Sequence, residues 1–245
     1  GGLARLPTQP HQLLLGGVAL IPIIYEDNHL LIAIKPPNMP SQQDTSGDPD
    51  ILSLLKQDLK QRYQKPGNVY LGLIHRLDRP VGGVMLFAKT SKAASRLSEA
   101  LRTRQIEKQY WAVVHGKPKE TNHQLVHYLR KDTRKNMVSV VPPAAQGAKK
   151  AILTYEVLES SGSMSLLSVE LETGRPHQIR VQLAHIQCPI YGDQRYGTSV
   201  NKPGQQIALW SQQLRFMHPV RRERMSFTAP PPNTYPWNMF RQPEA

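Results

Sequence analysis

The stretch of sequence that decides the fold is Ile74-His75-Arg76-Leu77-Asp78-Arg79-Pro80-Val81-Gly82-Gly83-Val84-Met85-Leu86-Phe87-Ala88-Lys89-Thr90. It opens with charged residues, bends at a proline and two glycines, and is apolar from Val84 to Ala88, as expected for a buried strand. One carboxylate, Asp78, lies between two arginines on the loop before this strand. Loops held by a rigid strand often carry catalytic residues. The alternative is a surface turn whose aspartate only caps the backbone.

The charge of the chain indicates a polyanionic partner. Its 245 residues include 31 Lys and Arg against 18 Asp and Glu, which gives a net charge of +13. Such an excess is typical of proteins that bind nucleic acid or an anionic membrane. The basic residues are spread along the whole chain, and no apolar run is long enough to span a membrane. We therefore predict a folded surface for nucleic acid and no membrane partner, with a merely basic protein as the alternative.

Cysteine and histidine usage bears on location and on metals. Cys188 is the only cysteine, so neither an intrachain disulfide nor a cysteine-based zinc site is possible. This usage predicts a reducing compartment, which we take to be the cytoplasm. His123 and His127 alone are weak grounds for a zinc site. We expect no metal, no cofactor and a monomer.

The chain before residue 74 is predicted to form an arm, two strands and a helix. Residues 1–20 show no clear period and are predicted to be an extended N-terminal arm. Two strands should follow from Ile21 to Lys35, joined by a turn at residues 26–28. Asp48 is the predicted N-cap of the helix, with Pro49 at its first position.

The chain after residue 90 is predicted to be mostly strands. Thr90 or Ser91 should cap a helix, and Pro176 should begin another whose apolar face carries Ile179, Leu183 and Ile186. The predicted strands and hairpins cover residues 107–116, a basic flap over 123–150, and residues 151–159, 164–172, 206–217 and 224–229. Because strands outnumber helices and hairpin connections dominate, we predict an α+β fold. A largely antiparallel, mixed central sheet flanked by helices and loops should form one catalytic domain over residues 21–245.

Three stretches resemble the motifs of the RluA-type pseudouridine synthases. The first is His75-Arg76-Leu77-Asp78 with its turn and apolar strand, preceded by a Lys35-Pro36 turn like that of the family. The others are the alternating pattern Lys108-x-Tyr110-x-Ala112-x-Val114-x-Gly116 and the run from Gly174 to Arg180, continued at residues 189–193. Val81 and Gly82 stand where the family usually has Thr and Ser, and Trp210 replaces a usual His. The matching region covers most of the chain.

The resemblance implies that the protein converts specific uridines in structured ribosomal or transfer RNA to pseudouridine. Asp78 would be the catalytic carboxylate, acting either as a nucleophile or as a base on the sugar. Tyr110 would stack on the uracil, and Arg180 would pair with Asp78 and keep it ionised. No metal or nucleotide cofactor is implied.

The resemblance also implies which residues contact RNA. The target base must leave its stack, and the planar guanidinium of Arg76 could fill the gap, although a phosphate contact is the alternative. The remaining predicted RNA contacts are Arg79, Lys108, Arg175 and His177. Residues 1–20 leave no room for an appended RNA-binding domain, so we expect the catalytic domain to find its RNA by itself.

Two other functions are compatible with a basic chain carrying one prominent aspartate. A metal-dependent RNA nuclease would need a second acidic ligand beside Asp78 and would be sensitive to chelators. A non-catalytic RNA-binding protein would retain its activity without the carboxylate of Asp78. The combination of Asp78, Tyr110 and Arg180 argues against the non-catalytic protein.

Overall fold

The computed structural model describes residues 11–15 and 18–241. The strands are β1 His11–Leu15, β2 Val18–Glu26, β3 Leu30–Lys35, β4 Gly72–Leu73, β5 Gly82–Ala88, β6 Glu107–His115, β7 Asn122–Asp132, β8 Met137–Val140, β9 Lys149–Ser161, β10 Met164–Leu171, β11 Leu209–Met217 and β12 Arg224–Thr228. The helices are α1 Ile51–Arg62, α2 Ser91–Arg102 and α3 Gln178–His185, with a short 3₁₀ helix at Trp237–Met239. Strands therefore outnumber helices in the described part of the chain, and the predicted α+β class is confirmed.

The chain divides into two compact units. The first contains residues 1–106 and 213–229, and the second contains residues 107–212 and 230–245. The single catalytic domain predicted over residues 21–245 stays a prediction.

The first unit is built around β5. Strands β1, β2, β3 and β5 pair in that order, every pair antiparallel, and β4 also pairs with β5. All residues of β5 are buried, as its apolar sequence predicts. Strand β12 pairs with residues 213–217 at the end of β11. The two predicted strands within residues 21–35 and the predicted strand over residues 84–88 are confirmed.

The cap of α1 differs from the prediction. Asp50, not Asp48, is the N-cap, and its carboxylate accepts a hydrogen bond of 2.9 Å from the backbone N–H of Ser53. Both aspartates flank Pro49, so the local sequence allows either as a cap. Asp48 instead binds the exposed side chain of Arg79. The cap of α2 is Thr90, as predicted.

The predicted N-terminal arm is partly a strand. His11–Leu15 forms β1 and pairs with β2, and β2 begins at Val18. Residues 1–10, 16 and 17 lie outside the described residues. Pairing with β2 explains the mildly apolar sequence of this segment, because an added strand places alternate residues on the two faces of the sheet.

The second unit contains an antiparallel sheet. Strands β6, β10, β9, β7 and β8 pair in that order. The predicted basic flap is the hairpin of β7 and β8, and the predicted hairpin of residues 151–172 is formed by β9 and β10. Within the described residues, no helix is both long and apolar enough to cross a membrane.

Helix α3 begins later than predicted. Pro176 lies outside it, and His177 is the N-cap residue with a left-handed backbone at φ 54°. The cause is the side chain of Gln178, whose Oε1 accepts hydrogen bonds from the backbone N–H of Arg175 (2.9 Å) and the hydroxyl of Thr173 (2.8 Å). These bonds fold the chain into a turn before the helix, so the prediction that Pro176 begins the helix is wrong.

Candidate active site

The backbone around Asp78 is fixed on both sides by buried polar side chains. The hydroxyl of Ser41 donates to the carbonyl of Leu77 (2.8 Å) and accepts from the N–H of the same residue (3.1 Å). Beyond Asp78, the ammonium of Lys35 donates to the carbonyl of Arg79 (3.0 Å). The carbonyl of Asp78 itself accepts from the N–H of Val81 at 2.8 Å, which closes the turn. The half-buried carboxylate therefore projects from a backbone held at consecutive residues.

Lys35 is a buried cation that the sequence analysis did not include among the site residues. Its Nζ also donates to the carbonyls of Pro36 (3.0 Å) and Met39 (2.6 Å), so every ammonium hydrogen has an acceptor. Burial lowers the pKa of Lys35 to about 7, an effect that the negative charge of Asp78 opposes and the positive charge of Arg79 increases. The sequence feature that could have identified Lys35 is its position at the end of an apolar strand, just before two prolines.

The two arginines that flank Asp78 in sequence are both exposed but differ in their partners. Arg79 binds the carboxylate of Asp48 and lies 3.9 Å from that of Asp44, and these contacts raise its pKa. Arg76 makes no hydrogen bond or ion pair within the described part of the chain. Its guanidinium therefore needs no internal contact to be broken before it binds an external group.

In the second unit, β6 carries Tyr110 and Lys108. Tyr110 is 7% exposed, and burial lowers the pKa of Lys108. A Cβ atom added to Gly174 would lie 3.1 Å from the Nζ of Lys108. The glycine of the third motif therefore leaves the space that this ammonium group fills, which places the second and third motifs side by side.

Arg180, on α3, is bound by a carboxylate that the sequence analysis did not predict. Its Nε donates to Oδ2 of Asp193 at 3.0 Å and its Nη2 to Oδ1 at 2.9 Å. Asp193 is fully buried and also accepts the backbone N–H groups of Arg195 and Tyr196. Burial alone would raise the pKa of Asp193, but the hydrogen bonds and charge of Arg180 and the backbone donors lower it.

Tyr196 joins Arg180 to His177. The centre of its ring lies 5.3 Å from the guanidinium carbon of Arg180, within the range of cation–π attraction. Its hydroxyl accepts the N–H of Val138 (3.0 Å) and lies 2.6 Å from Nδ1 of His177. A hydroxyl group can donate one hydrogen bond and accept two, so the contact with Nδ1 is compatible with either tautomer of His177.

Arg175 and the loop after α3 complete the arrangement. Nε of Arg175 donates to the carbonyl of Lys150 at 2.9 Å. Asn201 holds the loop that carries Asp193, since its Nδ2 donates to the Asp193 carbonyl (3.1 Å) and its Oδ1 accepts from Gly192 (2.8 Å). Gly192 adopts φ +79°, and a Cβ there would lie 2.3 Å from the carbonyl oxygen of Gln206. The pair Gly192-Asp193 could have been recognised in the sequence as a tight turn carrying a carboxylate, although no local pattern linked it to Arg180.

The predicted site residues fall in both units. Asp78, Arg76 and Arg79 lie together on one loop of the first unit. The second unit brings Arg180 close to His177, through Tyr196, and places Lys108 beside the turn that carries Arg175. The described residues contain no group of three or more His, Cys, Asp or Glu able to hold a metal ion.

Comparison with known proteins agrees with these motifs. The sequence pattern of the family described as RNA pseudouridylate synthase matches residues 29–185. An uncharacterized RNA pseudouridine synthase of Bacillus subtilis, YjbO, is 33% identical over 91% of this chain and 77% of its own length. Ribosomal large subunit pseudouridine synthases C of Buchnera aphidicola and D of Yersinia pestis are each 33% identical, over 85% and 84% of this chain, respectively, and 66% of their own lengths.

A solved structure gives the same result. Human RNA pseudouridylate synthase domain containing 4 superposes with a TM-score of 0.73 at 25% identity, covering 86% of this chain and 88% of the human chain. The chain thus belongs to the RNA pseudouridine synthase family, and the resemblance to RluA-type members is confirmed. It spans about two thirds of the length of the two ribosomal synthases.

Proposed function

We propose that this protein isomerises uridine to pseudouridine in RNA, with the carboxylate of Asp78 as the catalytic group. The observation that carries the proposal is a half-buried carboxylate in the family's first motif, on a loop whose backbone is held by Ser41 and Lys35. In the reaction, the bond from the sugar C1′ to the uracil N1 breaks, a bond from C1′ to C5 forms, C5 loses its proton, and N1 gains one. The isomerisation needs no oxidant and no second substrate.

Asp78 can act in two ways in this reaction. As a nucleophile, it would form a covalent bond to the reacting ring or sugar and later release it. As a base, it would take a proton from the sugar. In both cases the carboxylate must be ionised and held near the target after the base has left its stack. The bonds that fix Leu77 and Arg79 supply the necessary positioning.

The other predicted residues have supporting roles in the proposal. Tyr110 would stack on the uracil, and Arg180 would pair with Asp78. The bidentate bond to Asp193 supports the second role, because it fixes Nε and Nη2 of Arg180 and so sets the orientation of the whole guanidinium. Arg76 would fill the gap left by the target base, and its exposed guanidinium suits that role.

The proposed RNA contacts differ in whether they must first give up an internal ion pair. Arg175, Lys108 and His177 would meet phosphates. Arg79 would first have to exchange Asp48 for a phosphate, so we expect it to contribute less than Arg76. Membership in the family favours isomerisation over the nuclease and the non-catalytic RNA-binding protein considered above.

The RNA class is also part of the proposal. Ribosomal RNA is our first candidate, because several relatives are named ribosomal large subunit pseudouridine synthases. Transfer RNA is the second. We also propose a cytoplasmic location and a monomeric state. The single cysteine supports the cytoplasmic location.

The experiment is to map pseudouridines in cellular RNA with and without the protein. Cells that lack it should lose one or a few pseudouridines, and plasmid copies of the wild type should restore them. The Asp78→Asn variant should not restore them. An unchanged pseudouridine map in both ribosomal and transfer RNA would overturn the proposal.

A further inference from the structure

The second unit has a cavity of about 410 Å³ that none of the proposed catalytic residues lines. Its lining residues are Leu129, Arg130, Lys131, Val138, Gly147, Lys149, Arg175 and Pro176. They come from the β7–β8 hairpin, the start of β9 and the turn before α3. The volume is in the range of pockets that take small-molecule-sized groups, roughly 300–1,000 Å³.

The rim of the cavity is cationic. Four of its lining residues are Arg or Lys, and none is acidic. Arg130, Lys131 and Lys149 are exposed and form no ion pair or hydrogen bond through their side chains within the described residues. Arg175 uses only its Nε internally, on the carbonyl of Lys150. A group of like charges without counterions indicates an anionic ligand.

The floor of the cavity is apolar and rigid. Leu129 and Val138 are 3% and 5% exposed and belong to a buried cluster with Ala151 and Val181. The backbone N–H of Val138 is fixed by the hydroxyl of Tyr196. A packed apolar surface beneath several cations suits a ligand that combines a flat apolar face with a phosphate. A nucleotide has both parts.

We infer that this cavity, the β7–β8 pocket, binds a nucleotide of the RNA substrate other than the uridine that is isomerised. The base would pack on Leu129 and Val138, and the adjoining phosphates would meet Arg130, Lys131 and Lys149. The inference rests on the proposed function for the identity of the RNA as substrate. A flanking nucleotide held in this pocket would fix the register of the RNA on the enzyme, because base contacts and phosphate contacts act together there.

The first test measures binding of a short fluorescein-labelled RNA hairpin to the Asp78→Asn protein. This variant is used so that the RNA is not converted during the measurement. The triple change Arg130→Gln, Lys131→Gln and Lys149→Gln should weaken binding roughly tenfold or more and lower the slope of log affinity against log salt by about 2–3. The matched control removes three exposed cations that also lack side-chain partners in the described residues: Lys117, Lys119 and Lys202. The pocket is rejected if both triple variants lose affinity and slope equally, or if neither changes.

The second test needs no variant in the pocket. The same hairpin carrying 4-thiouridine is irradiated with the Asp78→Asn protein, and cross-linked peptides are identified by mass spectrometry. Cross-links should fall within residues 129–149. Millimolar uridine monophosphate should leave them in place, because a single nucleotide lacks the neighbouring phosphates. Cross-links that all lie elsewhere would overturn the inference, as would their complete loss to the mononucleotide, which would identify a small-molecule site.

These tests distinguish the pocket from the proposed function. If cellular pseudouridines are unchanged without the protein while the pocket cross-links to RNA, the isomerase proposal fails and the RNA site stands. If pseudouridines are lost without the protein but cross-links and binding do not involve the pocket, the isomerase proposal stands and the pocket inference is wrong.

Discussion

The guanidinium of Arg180 and the carboxylate of Asp193 form a buried bidentate ion pair, with Nε–Oδ2 at 3.0 Å and Nη2–Oδ1 at 2.9 Å. Arg180 is 5% exposed and Asp193 is fully buried. The pair fixes two of the three guanidinium nitrogens, so it determines the direction in which the third points. Asp193 is therefore a positioning residue for Arg180 in the proposed mechanism.

Asp193→Asn should reduce turnover much more than RNA binding. The change keeps the shape of the side chain but removes the charge of one partner of a buried ion pair, which costs on the order of 3–5 kcal/mol of stability. The free energy of unfolding in urea gives that loss, and single-turnover kinetics at saturating RNA gives turnover. Asp48→Asn, which breaks an exposed pair with Arg79, is the control and should change stability little. Equal turnover in the wild type and Asp193→Asn proteins would remove Asp193 from the mechanism.

The same pair predicts a pH dependence. Because the folded pKa of Asp193 is lowered, the unfolded chain binds its proton first as pH falls, and the pair's stabilisation is lost below the ordinary Asp pKa of about 3.9. The stabilisation is fully present above that value. Asp193→Asn should therefore lose less stability than the wild type on acidification from about pH 5. Parallel stability profiles for the two proteins would contradict the lowered pKa.

Asp78→Asn should bind RNA normally and form almost no pseudouridine. Loss of an essential nucleophile or base typically lowers turnover by roughly 10⁴-fold or more. Release of tritium from RNA containing 5-tritiated uridine measures this directly, since the C5 proton leaves during the reaction. Glu156→Gln, a change of an exposed carboxylate on β9, is the control and should release tritium at the wild-type rate. Substantial release by Asp78→Asn would assign the chemistry to another residue.

Several elements could be predicted because their causes are local. The buried strand β5 follows from a continuous apolar run, and the cap of α2 follows from a threonine before a good helix sequence. The hairpins follow from turn residues between strand-forming segments. The N-cap of α1 could not be decided locally, because Asp48 and Asp50 stand on either side of Pro49.

The candidate site depends on contacts between segments far apart in sequence. The motif identified Asp78 and Arg180, whereas Ser41 and Lys35, which hold the loop, come from another segment. The left-handed conformation of His177 arises from the bonds of Gln178 to residues 173 and 175 and to the carbonyl of Ile152 on β9. No helical period predicts such bonds, because they depend on tertiary packing.

RNA affinity should be mostly electrostatic. With a net charge of +13, binding of a mixed-sequence RNA should fall by roughly tenfold or more between low and physiological salt, because each phosphate contact releases a counterion. A flat salt dependence would contradict a basic binding surface.

Activity should persist in EDTA, since no step of the proposed reaction uses a metal. If EDTA abolished activity on an unstructured RNA and Mg²⁺ restored it, the metal-dependent alternative would be favoured.

The last prediction concerns Lys35, whose ammonium holds the carbonyl of Arg79 beside Asp78. Lys35→Met removes that hydrogen bond and should lower turnover by roughly 10²-fold, because a small displacement of a catalytic group has a large effect on rate. RNA affinity should change little, since Lys35 is fully buried. Lys60→Met, on the exposed side of α1, is the matched control and should retain full turnover. A Lys35→Met protein that folds and turns over normally would show that the loop does not depend on this ammonium group.

Lys35 should also make the stability of the wild type rise with pH in the alkaline range. Burial lowers its folded pKa to about 7, whereas an unfolded lysine titrates near 10.4. Between these values the unfolded chain holds a proton that the folded chain has released, so the free energy of unfolding rises by up to about 1.4 kcal/mol per pH unit. Below about pH 7 both states hold the proton and the dependence disappears. Urea unfolding of wild type and Lys35→Met from about pH 6 to pH 10 isolates this effect, because the other titrating groups are common to both proteins. A constant difference between the two curves would mean that Lys35 stays protonated in the fold, held by its three carbonyl acceptors.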